Sequence, residues 1–205
     1  ISVLASLYDK GAYYIYVRSL GSHSDGVREA AVDALIQFPS RDSALYLSRQ
    51  LLAEDETYIK RKIVKALITF RTAGDIRGIQ KILNYDDNPS LRMYAAYAFG
   101  IIKDERAITM VIKAMDDDDY RVRAEAANAL GNFKGKIVVI SLLEKYEKES
   151  STYVKTVILY SLKKICDKGT LQRLFSLYCN ENDAIHKMIL QQTIHHIIAR
   201  SFNQY

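Results

Sequence analysis

Apolar positions along the chain fall on two alternating helical stripes that recur at a fixed spacing. The first stripe opens on an apolar residue followed by a cation: Val27-Arg28, Ile59-Lys60, Leu91-Arg92, Val122-Arg123 and Val154-Lys155, with Ile185-His186 as a weaker sixth copy. The successive gaps are 32, 32, 31, 32 and 31 residues. Four residues after each anchor stand Ala31, Ile63, Ala95, Ala126, Ile158 and Ile189; seven after stand Ala34, Ala66, Ala98, Ala129 and Ser161. Eight after come Leu35, Leu67, Phe99, Leu130 and Leu162. Apolar residues at offsets 0, 4, 7, 8 and 11 line one face of an amphipathic helix. A second stripe follows at offsets 17, 20 and 24, as in Ala44-Leu47-Leu51, Ile76-Ile79-Leu83 and Val139-Leu142-Tyr146. Each period therefore predicts two helices, A and B.

The punctuation between stripes agrees with this division. Pro39-Ser40, Ala73-Gly74-Asp75, Lys103-Asp104-Glu105, Lys134-Gly135-Lys136 and Lys168-Gly169 separate A from B. Acidic or polar loops such as Glu54-Asp55-Glu56 and Asp116 to Asp119 separate one period from the next. Asn88-Pro89 reads as a helix start, because Asn caps well and Pro suits the first helical position. A single hairpin cannot bury both of its faces, whereas stacked hairpins share a continuous core. The expected fold is an all-α, right-handed solenoid of about six two-helix repeats forming one domain over 1–205. Its boundaries are a partial repeat 1–22, repeats 23–53, 54–85, 86–116, 117–149 and 150–181, and a terminal helix 182–205. Leu4 and Leu7 continue the register backwards at offsets 8 and 11, so Ile1 is expected to lie inside an A helix of a longer chain.

The phrases VREAAVDAL (27–35), LRMYAAYAFG (91–100) and VRAEAANALG (122–131), each near an acidic loop, resemble HEAT-like repeats. They are most similar to the short bacterial kind first recognised in phycobilin lyases. The resemblance runs over nearly the whole chain and implies the same stacked-hairpin fold, of the armadillo-like class. Tetratricopeptide and ankyrin signatures are missing: there is no Trp and no Thr-Pro-Leu-His. HEAT-like iron hydroxylases bind metal through His-Glu pairs, and this sequence has none. HEAT-like DNA glycosylases rely on Trp and Asp in a basic groove, and Trp is absent.

Composition narrows the class without naming a role. Of 205 residues, 49% are hydrophobic, enough for a packed core, and only 2 Pro and 9 Gly are present, too few for an all-β chain. No apolar run approaches the ~20 residues of a membrane span. Two cysteines, Cys166 and Cys179, have neither disulfide-framework nor metal-site spacing. The chain is expected in the cytoplasm; because Ile1 is expected to lie inside a longer chain, the missing leader-like segment does not itself set the compartment.

Candidate chemistry is confined to charge and tyrosine. The cations Arg28, Lys60, Arg92, Arg123 and Lys155 occupy one position of each repeat, and are expected to pair with the inter-repeat acids Asp25, Asp55, Asp87 and Asp118 as a structural ladder. A second set lies along the A-to-B turns: Arg41, Arg71, Lys103, Arg106, Lys134, Lys136, Lys163, Lys164 and Lys168. Helix dipoles favour bases at helix C-termini, and such a strip also suits an acidic partner. Of the 15 tyrosines, Tyr14, Tyr58, Tyr94, Tyr97, Tyr120, Tyr153 and Tyr160 fall off the main stripe or on A helices. Asp116 to Asp119 lacks the Gly turn and distal Glu of a Ca²⁺ loop, so no metal is expected, and no cofactor. No nucleophile–base set or phosphate loop is present. The function expected is a non-catalytic, protein-binding scaffold. Its contact surface is the concave B-helix face, at Arg49, Arg77, Gln80, Lys81, Lys113 and Arg173. The partner is a protein or peptide, acidic where the basic strip takes part. The repeat type also admits a phycobilin-type lyase or lyase-chaperone subunit. The net charge of +5 admits a nucleic-acid binder, the less favoured class.

Overall fold

The computed structural model describes residues 10–70 and 76–202. The expectations placed on Leu4, Leu7, Arg71 and the turn Ala73-Gly74-Asp75 lie outside the described residues. Among those described, all regular structure is helical. The A helices are α2 (Asp25–Gln37), α4 (Thr57–Phe70), α6 (Pro89–Ile102), α8 (Tyr120–Leu130), α10 (Thr152–Ile165) and α12 (Ala184–Phe202). The B helices are α1 (Lys10–Ser19), α3 (Arg41–Ala53), α5 (Arg77–Tyr85), α7 (Ile108–Ala114), α9 (Lys136–Lys148) and α11 (Leu171–Asn180).

Local sequence sets the helix ends. The side chains of Ser40, Asp119 and Ser151 accept from backbone N–H groups in the first turns of α3, α8 and α10. Pro89 is the first residue of α6, and Asn88 Oδ1 accepts from Ser90 N at 2.9 Å. The turn into α9 needs a backbone that only glycine adopts freely, and Gly135 sits there at φ 122°.

Packing divides the chain into two compact units, Ile1–Ala98 and Phe99–Tyr205, with the division inside α6. A repeat touches only its sequence neighbours, so the packing of a stack is local by construction. In the first unit α1 packs on α2, α2 on α4, and α3 on both α4 and α5. In the second, α7 packs on α8, α8 on α10, α9 on α10, and α10 and α11 on α12. The rule is the same in both: A helices pack on A helices, and the B helices α1, α3, α7, α9 and α11 each lie against the A helix that follows.

The core follows the two stripes, with two departures. The residues at offsets 4 and 8, from Ala31 and Leu35 to Ile158 and Leu162, are buried throughout. The anchors Ile59, Leu91, Val122 and Val154 are buried, but Val27 and Ile185 are exposed. These two sit on the first and last A helices described, each with one A-type neighbour among the described residues. A further position, offset 5, is buried in every A helix: Val32, Val64, Ala96, Ala127, Leu159 and Leu190. It lies well off the main stripe, and it is buried in the first and last A helices described as well as in the inner ones.

Small residues let helices approach. A Cβ on Gly100 of α6 would stand 2.9 Å from Ala129 Cα of α8, and one on Gly131 would stand 2.9 Å from Ser161 Cβ of α10. Ala98, on the same helix as Gly100, is fully buried. Ala98→Leu is therefore expected to overpack α6 and cost about 1–3 kcal/mol; a thermal melt coincident with wild type would contradict that.

Candidate binding surfaces

The charged ladder takes shape from the return of each B helix to the start of its own A helix. Arg28 Nη2 meets Glu54 Oε1 at 2.8 Å, Lys60 Nζ meets Asp86 Oδ2 at 2.7 Å, and Arg123 Nε meets Glu149 Oε2 at 2.8 Å. The partners are thus Glu54, Asp86 and Glu149, at the C-terminal ends of the B helices, and the expected Asp25, Asp55 and Asp118 are not the ones engaged. The arginine fork also reaches backwards. Arg28 Nη1 donates to Ser22 O and His23 O, Arg92 Nη1 to Asp86 O and Asp87 O, and Arg123 Nη1 to Asp117 O and Asp118 O. Each acid in turn accepts from the loop beyond it: Glu54 from Glu56 N, Asp86 from Asn88 N, Glu149 from Ser150 N and Ser151 N. One guanidinium therefore fastens the loop before its repeat to the loop after it. Lysine, a point charge, makes only one of these links. In the fifth repeat Lys155 instead lies 5.0 Å from the Tyr146 ring centroid. In the sixth, His186 is buried, with Nε2 3.0 Å from Thr156 Oγ1.

Electrostatics follow the same contacts. Burial would raise the Glu54 carboxyl, but hydrogen bonds from Arg28, Gln50 and Glu56 N outweigh it and hold the pKa below its ordinary value. Glu149 is lowered in the same way, burial being outweighed by Arg123 and Ser151 N.

The residues assigned to the B-helix face divide between the two units. In the first, Arg49, Arg77 and Lys81 are exposed and Gln80 is half-buried. In the second, Lys113 is exposed and Arg173 half-buried. Two of the six are engaged in B-to-B links: Lys81 Nζ donates to Leu52 O at 2.6 Å, and Arg173 Nη2 lies 3.5 Å from Glu147 Oε1. Lys145 and Asp116 form the corresponding pair between α9 and the end of α7. Arg49 and Lys113 make no ion pair or hydrogen bond among the described residues.

The acidic run Asp116 to Asp119 is absorbed by the fold. Asp117 Oδ1 accepts from Asp119 N, and Asp119 accepts from Arg121 N and pairs with the Arg121 guanidinium. Among the described residues no group of His, Cys, Asp and Glu has the arrangement of a metal site. No described helix is long and apolar enough to cross a membrane. Cys166 is buried and Cys179 exposed, and both are free thiols.

On the A-helix side of the first unit, a groove of about 940 Å³ runs between α2 and α4 over Ile36, Ala66 and Phe70. Lys62 of its wall binds Glu29 at 2.5 Å and Asp33 at 2.9 Å. Beside it the Arg61 guanidinium lies 5.7 Å from the Tyr94 ring, which stacks on Tyr97. In the second unit Tyr120 and Tyr153 meet edge to face.

A cavity of about 650 Å³ opens at the A-to-B turns of the second unit, lined by Lys134, Lys164, Lys168 and Arg200. Three of these cations belong to the strip seen in the sequence. Arg200, near the end of α12, was not among them, because only the fold brings that helix end to the turns.

Residues 76–163 match the family model described as HEAT repeats. No curated protein matches the chain. Among solved structures, two crystal structures of engineered proteins from the Northeast Structural Genomics Consortium are similar in fold. One has a TM-score of 0.57 at 16% identity, covering 92% of this chain and 97% of that one. The other has a TM-score of 0.57 at 15% identity, covering 90% and 98%. The repeated hairpins of both units make this chain an all-α repeat protein of the solenoid class, similar to HEAT repeats over 76–163.

Proposed function

We propose that the chain is a non-catalytic, protein-binding scaffold, and that the B-helix side of its repeats is the contact surface. One observation carries this reading: the B helices expose aliphatic and phenyl side chains, beside Tyr14 and Tyr85, where the inner A helices expose only tyrosines among their large hydrophobic residues. On the inner A helices α4, α6, α8 and α10, every large hydrophobic side chain exposed among the described residues is a tyrosine, while the outer A helices α2 and α12 expose Val27, Ile185 and Met188. The B helices α1, α9 and α11 expose Ile15, Ile137, Ile140 and Phe175, which have no polar tip to satisfy in water. Exposed apolar groups beside polar neighbours mark docking surfaces, and aromatic and arginine anchors dominate such contacts. Arg49 and Lys113 supply cations on the same side and favour an acidic partner, with Arg77 and Gln80 adding polar contacts.

The test compares capture of interacting proteins by wild type, by Ile140→Glu/Phe175→Glu, and by Tyr160→Glu on the A-helix side. A partner identified with wild type and then purified is expected to bind the B-side double variant at least about tenfold more weakly, and Tyr160→Glu unchanged. Equal binding by wild type and the double variant, with loss in Tyr160→Glu, would overturn the assignment of the face.

A further inference from the structure

The cavity at the A-to-B turns of the second unit gathers four cations in one lining. Along the repeat ladder and its flanks the cations Arg28, Lys60, Lys62, Arg121, Arg123 and Lys145 each pair with a carboxylate. Lys134, Lys164, Lys168 and Arg200 all line one cavity of about 650 Å³, and none forms an ion pair or hydrogen bond among the described residues. The one carboxylate in the lining, Asp167, is committed to the turn, where its Oδ1 accepts from Gly169 N at 3.0 Å. Four like charges gathered round one space repel each other unless an anion occupies it. The floor is apolar, formed by Ile165, Cys166 and Ile197.

We propose that this cavity binds a compact oxyanion of high charge, a polyphosphate or a phosphate ester. The lining offers four cations against one carboxylate, which matches an anion of about three charges, and charge-assisted hydrogen bonds to phosphate oxygens are the strong kind. Lys134 comes from the turn before α9, Lys164 from the last turn of α10, Lys168 from the turn after it and Arg200 from α12, so four chain segments bring their charges to one cavity. The apolar floor accommodates the non-ionic part of an ester. This site is independent of the B-helix surface and survives the failure of that reading.

Inorganic tripolyphosphate, orthophosphate and a poly-glutamate peptide are the probes, titrated calorimetrically at low salt against the whole chain. Tripolyphosphate is expected to bind 1:1 and at least about tenfold more tightly than orthophosphate. Its affinity should fall as salt rises, as an ionic contact requires. Lys164→Gln and Lys168→Gln should each weaken it by about three- to tenfold. Lys148→Gln, at the other end of α9, removes the same charge and should leave it unchanged. In a Cys179→Ser background Cys166 is the only cysteine, and tripolyphosphate should slow its reaction with a thiol reagent. Three outcomes overturn the proposal: no saturable binding; equal loss in Lys148→Gln and Lys164→Gln; or tighter binding of poly-glutamate with the same sensitivity to Lys164→Gln, which would make the cavity a dock for acidic protein segments.

Discussion

Glu54→Ala is expected to cost about 3–5 kcal/mol, the range for breaking a buried ion pair from one side. The Glu54 side chain is fully buried, and it receives Arg28 Nε and Nη2, Gln50 Nε2 and Glu56 N. Removing it leaves a guanidinium facing carbonyls only, and leaves the N–H of the next loop without its acceptor. Glu54→Gln keeps the volume but loses the charge, and should cost about 1–3 kcal/mol. The pH dependence gives an independent check. Glu54 and Glu149 titrate below the ordinary glutamate value of 4.5 in the folded chain. A carboxyl lowered by folding stabilises the fold above its unfolded pKa, and that contribution is lost as pH falls through the folded value. Wild type should therefore lose stability on acidification below pH 4.5. The gap between wild type and Glu54→Gln should narrow over the same range and stay constant between about pH 6 and 8. Denaturant unfolding at a series of pH values measures both; a gap that widens in acid would mean the pair does not hold Glu54 ionised.

Gly78→Ala should also destabilise, by about 1–3 kcal/mol or somewhat more. A Cβ at this position in α5 would stand 2.5 Å from the Ser48 carbonyl oxygen and 2.9 Å from Leu51 Cβ in α3. The nearest obstacle is backbone, so relief requires α3 and α5 to separate. Intrinsic propensity acts in the opposite direction, because Ala is favoured over Gly in a helix by about 1 kcal/mol. Gly26 of α2 provides the control, since the nearest atom to its Cβ would be Ser24 Oγ at 3.9 Å. Gly26→Ala should be neutral or slightly stabilising. If both substitutions raise the melting temperature, the close approach of α3 and α5 is wrong.

Hairpin order, helix starts and most of the buried stripe could be read from the sequence because each depends on neighbours within one or two turns. The 32-residue register located Leu35, Leu67, Phe99, Leu130 and Leu162, and all are buried. Offset 5 was not legible, because its burial comes from A helices one repeat away rather than from the helix's own amphipathic face. The ladder partners were misread for a related reason. Asp25 and Asp118 are near their cations in sequence, but the chain spends a hairpin before returning, so the acid 26 residues on is the neighbour: Glu54 for Arg28, Asp86 for Lys60, Glu149 for Arg123. That constant spacing was present as a signal. On the B-helix side, the sequence marked Lys81 and Arg173 as exposed cations without revealing that each is tethered to the preceding B helix. The basic cavity was visible only as a strip, since nothing local ties Arg200 to Lys134.

The guanidinium link has a consequence for how such a chain can change in length. Cut just after its terminal acid, the segment 22–54 contains Arg28, both carbonyls it holds and Glu54; the segment 117–149 does the same for Arg123. Each segment is a self-contained cassette whose buried charge is neutralised internally. A whole period can therefore be duplicated or excised without stranding an ion in the interior, and what must be remade at the new junction is the helix-on-helix packing between repeats and the ties between B helices. An excision shifted by half a period would separate arginine from its carboxylate and bury both alone, so gene duplication and recombination are channelled toward steps of one full repeat.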